Sequence, residues 1–121
     1  MKKQILLIED QPATRKLLSH YLGEFYTITE KATAEEALFW IKEGNFPDAI
    51  VTDILMPEMT GIEFLTHLQK IQDNVPPVLV LSSVENSLEK MKCFNLGVLD
   101  YIVKPFNPEE LRFRLNNIFK N

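Results

Sequence analysis

Five short runs of apolar and β-branched residues alternate along the chain with five stretches of helical periodicity. The runs cover residues 5–8, 26–29, 49–52, 78–81 and 101–103. Regular alternation of strands and helices is typical of a doubly wound α/β domain, in which helices cover both faces of a parallel sheet. The central runs are apolar almost throughout, as expected of strands buried on both faces. The sequence therefore predicts a (βα)5 three-layer sandwich around a five-stranded parallel sheet.

Local signals indicate where several helices begin and which side they bury. Thr33 followed by Glu36, and Asn107 followed by Pro108 and Glu110, each read as an N-cap with an acid placed for a capping box. Helical spacing then predicts three apolar faces, namely Ala13, Leu17 and Tyr21; Leu65, Leu68 and Ile71; and Leu111, Leu115 and Ile118.

Length and composition limit the kinds of protein that this chain can be. Its 121 residues fit a single domain spanning residues 1–121. A net charge of -4 argues against direct nucleic-acid binding, which needs a basic surface. Cys93 is the single cysteine, and no apolar run approaches the roughly 18–20 residues of a membrane span. We expect a cytoplasmic protein that does not bind membranes.

Acidic residues follow two of the predicted strands, and a lysine follows a third. Glu9 and Asp10 come after the first run, Asp53 after the third, and Lys104 after the fifth. The carboxyl ends of parallel strands meet at one edge of the sheet, where such folds bind ligands. Repulsion among three neighbouring acids would be relieved by a divalent cation, and hard oxygen ligands suit Mg²⁺.

A simpler interpretation is that these acids stand at loop starts and helix N-termini, where the helix dipole favours negative charge. For Glu9 alone this interpretation is sufficient. The combination of Asp10, Asp53 and Lys104 instead favours a site that binds both a metal ion and an anion such as a phosphoryl group.

The same positions carry a series of motifs that resembles the receiver domain of two-component response regulators. The motifs run in order along nearly the whole chain: Glu9-Asp10; Asp53-Ile-Leu-Met56-Pro57-Glu-Met-Thr-Gly61; Pro77-Val-Leu-Val-Leu-Ser82-Ser83; Gly97-Val-Leu-Asp-Tyr101; and Lys104-Pro105-Phe106. The resemblance implies a flavodoxin-like strand order of 2-1-3-4-5 and a cis peptide bond between Lys104 and Pro105.

The resemblance also assigns roles to individual residues. Asp53 would be the phosphoacceptor, and Mg²⁺ would be held by Asp10, Asp53 and the main-chain carbonyl of Leu55. Glu9 would act on the metal through water. Ser82 would hydrogen-bond the phosphoryl group, and Lys104 would pair with it. The donor would be a phosphohistidine on a sensor histidine kinase or phosphotransfer protein, because the chain has no nucleotide-binding loop.

Ser82 and Tyr101 are the predicted switch residues. Phosphorylation would draw the Ser82 hydroxyl inward and let Tyr101 turn from an exposed to a buried position. The fourth helix, fifth strand and fifth helix, with Glu89, Lys90, Lys92 and Phe113, would then contact a downstream protein, a fused output domain or a second copy in a homodimer. Solvated helix faces are the simpler interpretation of those charges. The chain is expected to be either a stand-alone regulator or an excised N-terminal domain of a longer one.

Two residues beside the acceptor bear on how long a phosphoryl group would last. Leu55 and Val84 occupy the positions that would flank it, and neither apolar side chain can orient an attacking water. We therefore expect slow hydrolysis. Gly61 reads either as a loop glycine that relieves backbone strain or as a glycine at a helix start.

Three other functions are weaker matches to the sequence. A phosphohydrolase with an aspartyl-phosphate intermediate usually has a second acid two residues after the nucleophile, where this chain has Leu55. A flavodoxin-like cofactor binder needs a phosphate-binding loop after the first strand, and none is present. A receiver-like module that signals without phosphorylation is disfavoured by the presence of Asp10, Asp53, Ser82 and Lys104 together.

Overall fold

The computed structural model describes residues 2–56, 58–83 and 87–120. Five strands alternate with five helices, as the sequence predicts. In chain order they are β1 (Gln4–Ile8), α1 (Pro12–Leu22), β2 (Thr27–Lys31), α2 (Ala34–Lys42), β3 (Ala49–Asp53), α3 (Gly61–Ile71), β4 (Val78–Ser82), α4 (Ser87–Asn95), β5 (Asp100–Val103) and α5 (Pro108–Lys120). All strand pairs are parallel, in the order β2-β1-β3-β4-β5. The predicted fold and strand order are therefore confirmed.

The sheet separates two hydrophobic clusters, one on each face. Because successive strand residues point to opposite faces, Leu6 and Ile8 of β1 join one cluster and Ile5 and Leu7 join the other. The first cluster includes buried residues of α2, α3 and α4. The second includes buried residues of α1 and α5. This arrangement buries β1, β3 and β4 on both sides and leaves their carboxyl ends together at one edge.

Strand β2 lies further along the chain than its apolar run indicates. It spans Thr27–Lys31 instead of residues 26–29, because its length follows the partner strand β1 from Gln4 opposite Thr27 to Ile8 opposite Lys31. As an edge strand it tolerates the polar residues Glu30 and Lys31. Tyr26 precedes the strand and packs its ring against Phe119.

The predicted helix faces differ in how well they match the structure. Helix α5 buries Leu111 and Leu115, as predicted. Helix α3 buries Leu65 and Leu68, but Phe64 takes the place predicted for Ile71, which is exposed.

For α1 the predicted face is wrong, since Leu18 and Leu22 are buried while Leu17 is 60% exposed. Leu17 and Leu18 are adjacent and both apolar, so periodicity alone does not determine the rotation of the helix. Contact with the sheet and with α5 determines it. Among the helices that the structure describes, none has the length and apolar character needed to cross a membrane.

Both predicted helix starts are confirmed, but at each the structure shows the N-cap hydrogen bond without the second half of the predicted capping box. Thr33 accepts a hydrogen bond from the main-chain N–H of Glu36 at 3.1 Å. Asn107 caps α5 through the N–H of Glu109 at 2.9 Å. Glu110 does not complete a capping box there, because its carboxylate accepts hydrogen bonds from Arg114 one turn later.

Candidate functional site

The residues singled out in the sequence meet at the carboxyl edge of the sheet. Glu9 and Asp10 follow β1, Asp53 ends β3 and Lys104 follows β5. Ligand oxygens of the three acids all lie within 4.8 Å of one another. The Lys104 Nζ lies 2.9 Å from Glu9 Oε1 and 2.7 Å from Asp53 Oδ2. One ammonium group therefore bridges two carboxylates from different strands.

Asp53 is held firmly but keeps coordinating capacity. It is buried at the end of a central strand, opposite Leu81 of β4. Its Oδ1 accepts a hydrogen bond from the Leu55 main-chain N–H at 3.1 Å, and its Oδ2 accepts one from Lys104. An ionised carboxylate has about four acceptor positions, so lone pairs remain for a metal ion or for attack on phosphorus.

Glu9 is the most enclosed of the acids, with 0% of its surface exposed. Burial raises the pKa of its carboxyl, and the hydrogen bonds from Lys104 and from the Gln11 N–H partly offset that rise. The Gln11 N–H lies 3.2 Å from Glu9 Oε2. The Glu9 carboxylate is therefore engaged at both oxygens within the protein.

Lys104 is the positive charge of the site. Burial alone would lower the pKa of its ammonium group, but hydrogen bonds to Asp53 and Glu9 outweigh it, and the pKa is raised. The side chain is therefore charged at neutral pH. The main-chain N–H of Lys104 donates to the Ser82 carbonyl at 2.7 Å, which joins the loop after β5 to the end of β4. The Lys104–Pro105 peptide bond is cis, as the resemblance implies.

The two predicted switch residues lie on neighbouring strands. Ser82 is fully buried at the end of β4, in register with Val103 of β5. Tyr101 is 7% exposed, and Lys90 Nζ lies 5.3 Å from the centre of its ring. The structure therefore holds Tyr101 in the buried position that the sequence analysis assigned to the phosphorylated form. The movement between positions stays a prediction.

The two flanking positions differ in what the structure shows. Leu55, two residues after Asp53, is 49% exposed, and its role beside a phosphoryl group stays a prediction. Val84 lies outside the described residues.

Gly61 is a helix-start glycine and does not have a positive φ angle. A Cβ there would lie 2.9 Å from Ile54 Cα and 3.0 Å from the Asp53 carbonyl oxygen. The Gly61 N–H also donates to the Ile54 carbonyl at 2.8 Å. Close packing against the loop after Asp53, and not strain relief, therefore explains the glycine.

Comparison with known proteins identifies the family. The profile of the response regulator receiver domain family matches residues 5–116. The chain is a receiver domain of this family. It is 34% identical over 121 residues to Histidine kinase P4 of Formosa agariphila, covering 99% of this chain and 9% of that protein.

Other relatives agree in sequence and in structure. The chain is 32% identical over 121 residues to the transcriptional regulatory protein SrrA of Staphylococcus aureus (strain NCTC 8325 / PS 47), covering 99% of this chain and 49% of that protein. Both curated relatives are therefore much longer than the part that this chain matches. The solved structure of the chemotaxis protein CheY4 of Vibrio cholerae is 30% identical, with a TM-score of 0.88 over 97% of this chain and 98% of that one.

Receiver domains bind Mg²⁺ at an acidic pocket, and the residues of this receiver fit that ion. Glu9, Asp10 and Asp53 provide hard carboxylate oxygens close together. Lys104 pairs with two of these acids, so three acidic side chains share one lysine at the sheet edge. Asp10 is half-buried and next to solvent, which suits an ion that keeps several of its waters.

Two features near the site were not predicted from the sequence. Thr60 and Glu63 form a complete capping box at the start of α3, with distances of 3.0 and 3.1 Å between side-chain oxygens and main-chain nitrogens. The Thr-x-x-Glu spacing is a recognised signature and could have found it. Arg15 of α1 donates to the Glu9 carbonyl oxygen at 2.8 Å. No local pattern in the sequence indicates that contact, which depends on how α1 packs.

Proposed function

We propose that this receiver domain accepts a phosphoryl group on Asp53 in a Mg²⁺-dependent reaction. The observation that supports the proposal is the position of Asp53, a buried carboxylate at a strand end within 4.8 Å of two further acids and 2.7 Å from a charged lysine. A nucleophile, a cation site and a positive side chain thus occupy one pocket. The donor would be a phosphohistidine of a sensor histidine kinase or phosphotransfer protein.

The transfer itself requires little covalent chemistry from the protein. A carboxylate oxygen of Asp53 forms a bond to phosphorus as the P–N bond of the phosphohistidine breaks, and the electron pair of that bond leaves with the imidazole nitrogen. Bound Mg²⁺ would neutralise charge on the phosphoryl oxygens. Asp10, Asp53 and the Leu55 carbonyl would hold it, with Glu9 acting through water.

Lys104 and Ser82 would bind the transferred group. The Lys104 ammonium is partly accessible, with 21% of the side chain exposed, so it can turn from Asp53 Oδ2 to a phosphoryl oxygen without crossing the core. The raised pKa keeps it positively charged for that contact. The Ser82 hydroxyl would donate a hydrogen bond to the same group. Preorganised donors of this kind supply electrostatic stabilisation of the transition state.

The output of the reaction would be a change in the surface formed by α4, β5 and α5. Leu88, Met91 and Phe113 are exposed on its helices. A shift of Ser82 toward the phosphoryl group and a coupled movement of Tyr101 would alter this surface, which would contact a downstream protein, an output domain or a second copy in a homodimer. The proposal also places the protein in the cytoplasm, where its kinase partner would act.

Intact-protein mass spectrometry after incubation with phosphoramidate and Mg²⁺ tests the proposal. The expected result is a single phosphoryl adduct that is lost in Asp53→Ala and in excess chelator. Asp73→Asn is a matched control, because Asp73 is an exposed acid away from the sheet edge and should leave the adduct unchanged. An adduct that persists in Asp53→Ala, or no adduct with any small donor, would overturn the assignment.

A further inference from the structure

A chain of polar contacts connects the edge strand β2 to the main chain of Glu9 and Asp10, in the loop after β1. Arg15 Nη1 donates to the Glu9 carbonyl oxygen at 2.8 Å, and Arg15 Nε lies 3.5 Å from Glu30 Oε1. Ser19, one turn further along α1, donates its hydroxyl to Glu30 Oε2 at 2.9 Å. Glu30 therefore contacts two residues of α1, Arg15 and Ser19. Arg15 in turn contacts the Glu9 carbonyl.

The carbonyl that Arg15 contacts belongs to the peptide bond between Glu9 and Asp10. This peptide is a rigid plane, so the hydrogen bond to its oxygen also fixes the direction of the Asp10 N–H and restricts the Asp10 Cα. On the other side of Glu9, its own N–H donates to the Lys31 carbonyl at 3.1 Å. The main chain just before Asp10 is thus held from β2 and from α1 together.

We propose that Arg15, oriented by Glu30, is a positioning residue that sets the Glu9–Asp10 peptide for divalent-cation binding. The inference rests on the proposed function, since it assumes that Asp10 and Asp53 bind Mg²⁺. Asp10 is the acid of the cluster with the most access to solvent, so it depends most on its backbone for a fixed position. Contacts that orient metal ligands in this way commonly change metal affinity by about 10- to 100-fold when they are removed.

The Arg15–Glu30 ion pair should contribute little to the stability of the fold. The side chains of Arg15 and Glu30 are 18% and 40% exposed, and ion pairs with that much solvent access are weak. A merely structural role would change unfolding and leave Mg²⁺ affinity alone. A positioning role would instead change Mg²⁺ affinity and leave unfolding nearly unchanged, so measuring both distinguishes the two roles.

Isothermal titration of MgCl2 into the protein, with no phosphodonor present, measures this effect. We expect Arg15→Ala to weaken Mg²⁺ binding by about tenfold, with a small change in the unfolding midpoint. Glu30→Ala should weaken Mg²⁺ binding less. The Arg15 guanidinium can then still donate to the Glu9 carbonyl, but Glu30 no longer orients it. The Mg²⁺ affinity of Arg15→Lys should lie between those of wild type and Arg15→Ala, because a lysine ammonium group can contact either Glu30 or the Glu9 carbonyl but not both. The Asp10 amide resonance, recorded without Mg²⁺, should shift in Arg15→Ala.

Arg114→Gln is the matched control. Like Arg15, Arg114 is a helix arginine with two acceptors, here the carboxylates of Asp100 and Glu110, but it lies on α5 away from the acid cluster, so its loss should leave Mg²⁺ affinity unchanged. If Arg15→Ala does not fold, Glu30→Ala, which changes a more exposed side chain, decides the question.

The possible results separate failure of the positioning role from failure of the proposed function. Equal Mg²⁺ affinity in wild type, Arg15→Ala and Glu30→Ala, together with loss of binding in Asp53→Ala, would overturn the positioning role alone. Absence of Mg²⁺ binding to the wild type, or equal binding to Asp53→Ala, would overturn the proposed function and the positioning role with it.

Discussion

The ammonium group of Lys104 lies 2.7 Å from Asp53 Oδ2, so the residue after the last strand is joined to the carboxylate at the end of the middle strand. The same nitrogen also contacts Glu9 at 2.9 Å. Three strands thus depend on one side chain to balance charge at their shared edge. A bound cation or a phosphoryl group would change the partners of that lysine, which gives the site a direct way to alter the loop after β5.

Replacing Lys104 by methionine should lower the free energy of unfolding, because it removes the positive charge that Glu9 and Asp53 share. The Glu9 and Asp53 carboxylates would stay buried without their cation, and loss of one partner of a buried ion pair costs roughly 3–5 kcal/mol. Because Lys104 is partly accessible, we expect a loss of about 2 kcal/mol in the free energy of unfolding in chelator at pH 7. Urea unfolding measures it.

Saturating Mg²⁺ should recover part of the loss in Lys104→Met, since an ion that binds the folded state alone stabilises it. Lys70→Met, which alters an exposed lysine on α3, is the control and should be near neutral. Unfolding of Lys104→Met at the wild-type urea midpoint in chelator would contradict the charge-balancing role.

Burial of Glu9 predicts a specific pH dependence. Because the folded protein has a raised pKa at this carboxyl, Glu9 contributes stability below its ordinary pKa of 4.5, and that contribution is lost as pH rises through the folded pKa. In chelator, the unfolding free energy of wild type relative to Glu9→Gln should therefore fall as pH rises from about 4 toward neutrality. A difference that stays flat, or rises, would contradict the shift. The Glu9 carboxyl carbon resonance gives the pKa directly.

The capping box at α3 should stabilise the helix that follows the loop after Asp53. Thr60→Ala removes the side-chain oxygen that accepts the Glu63 N–H, and such a change typically costs about 1 kcal/mol. Thr66→Ala is the matched control, because the Thr66 hydroxyl bonds within the helix to the Ile62 carbonyl and alanine favours helices. Thermal unfolding of both variants tests the difference, and equal midpoints would argue against the cap.

Gly61→Ala should destabilise the protein although alanine usually favours a helix by about 1 kcal/mol over glycine. The added Cβ would approach main-chain atoms of Asp53 and Ile54 at about 3 Å, and backbone does not move aside cheaply. We expect a net loss of about 1–2 kcal/mol and slower phosphorylation of Asp53. A more stable variant would show that the loop relaxes around the methyl group.

Leu55→Asn should shorten the lifetime of the phosphorylated form. The wild-type side chain is exposed beside Asp53 but has no polar atom to orient water, whereas asparagine has two polar groups. We expect hydrolysis to become several-fold faster, measured as the loss of the phosphoryl adduct with time. Leu99→Asn, at an exposed leucine before β5, is the control. An unchanged rate in Leu55→Asn would refute the idea.

The sequence alone predicted that the residues at the strand ends lie together, because strand ends are easy to recognise. Glu9, Asp53 and Lys104 each interrupt or follow an apolar run, and parallel topology brings such positions together. The rotation of α1 was not predictable in the same way, since Leu17 and Leu18 satisfy the apolar period equally well and tertiary packing selects Leu18.

The alternation of apolar runs with helical periods determined the class of fold, because each element must bury its apolar side against another. The motif residues at the strand ends then indicated the family. Only the tertiary structure decided which atoms meet. Lys104 bridges Glu9 and Asp53, Gly61 packs on the main chain of Asp53 and Ile54, and Arg15 contacts the Glu9 carbonyl. These contacts join residues distant in sequence or depend on helix rotation, and their geometry is set by packing of the whole sheet and its helices.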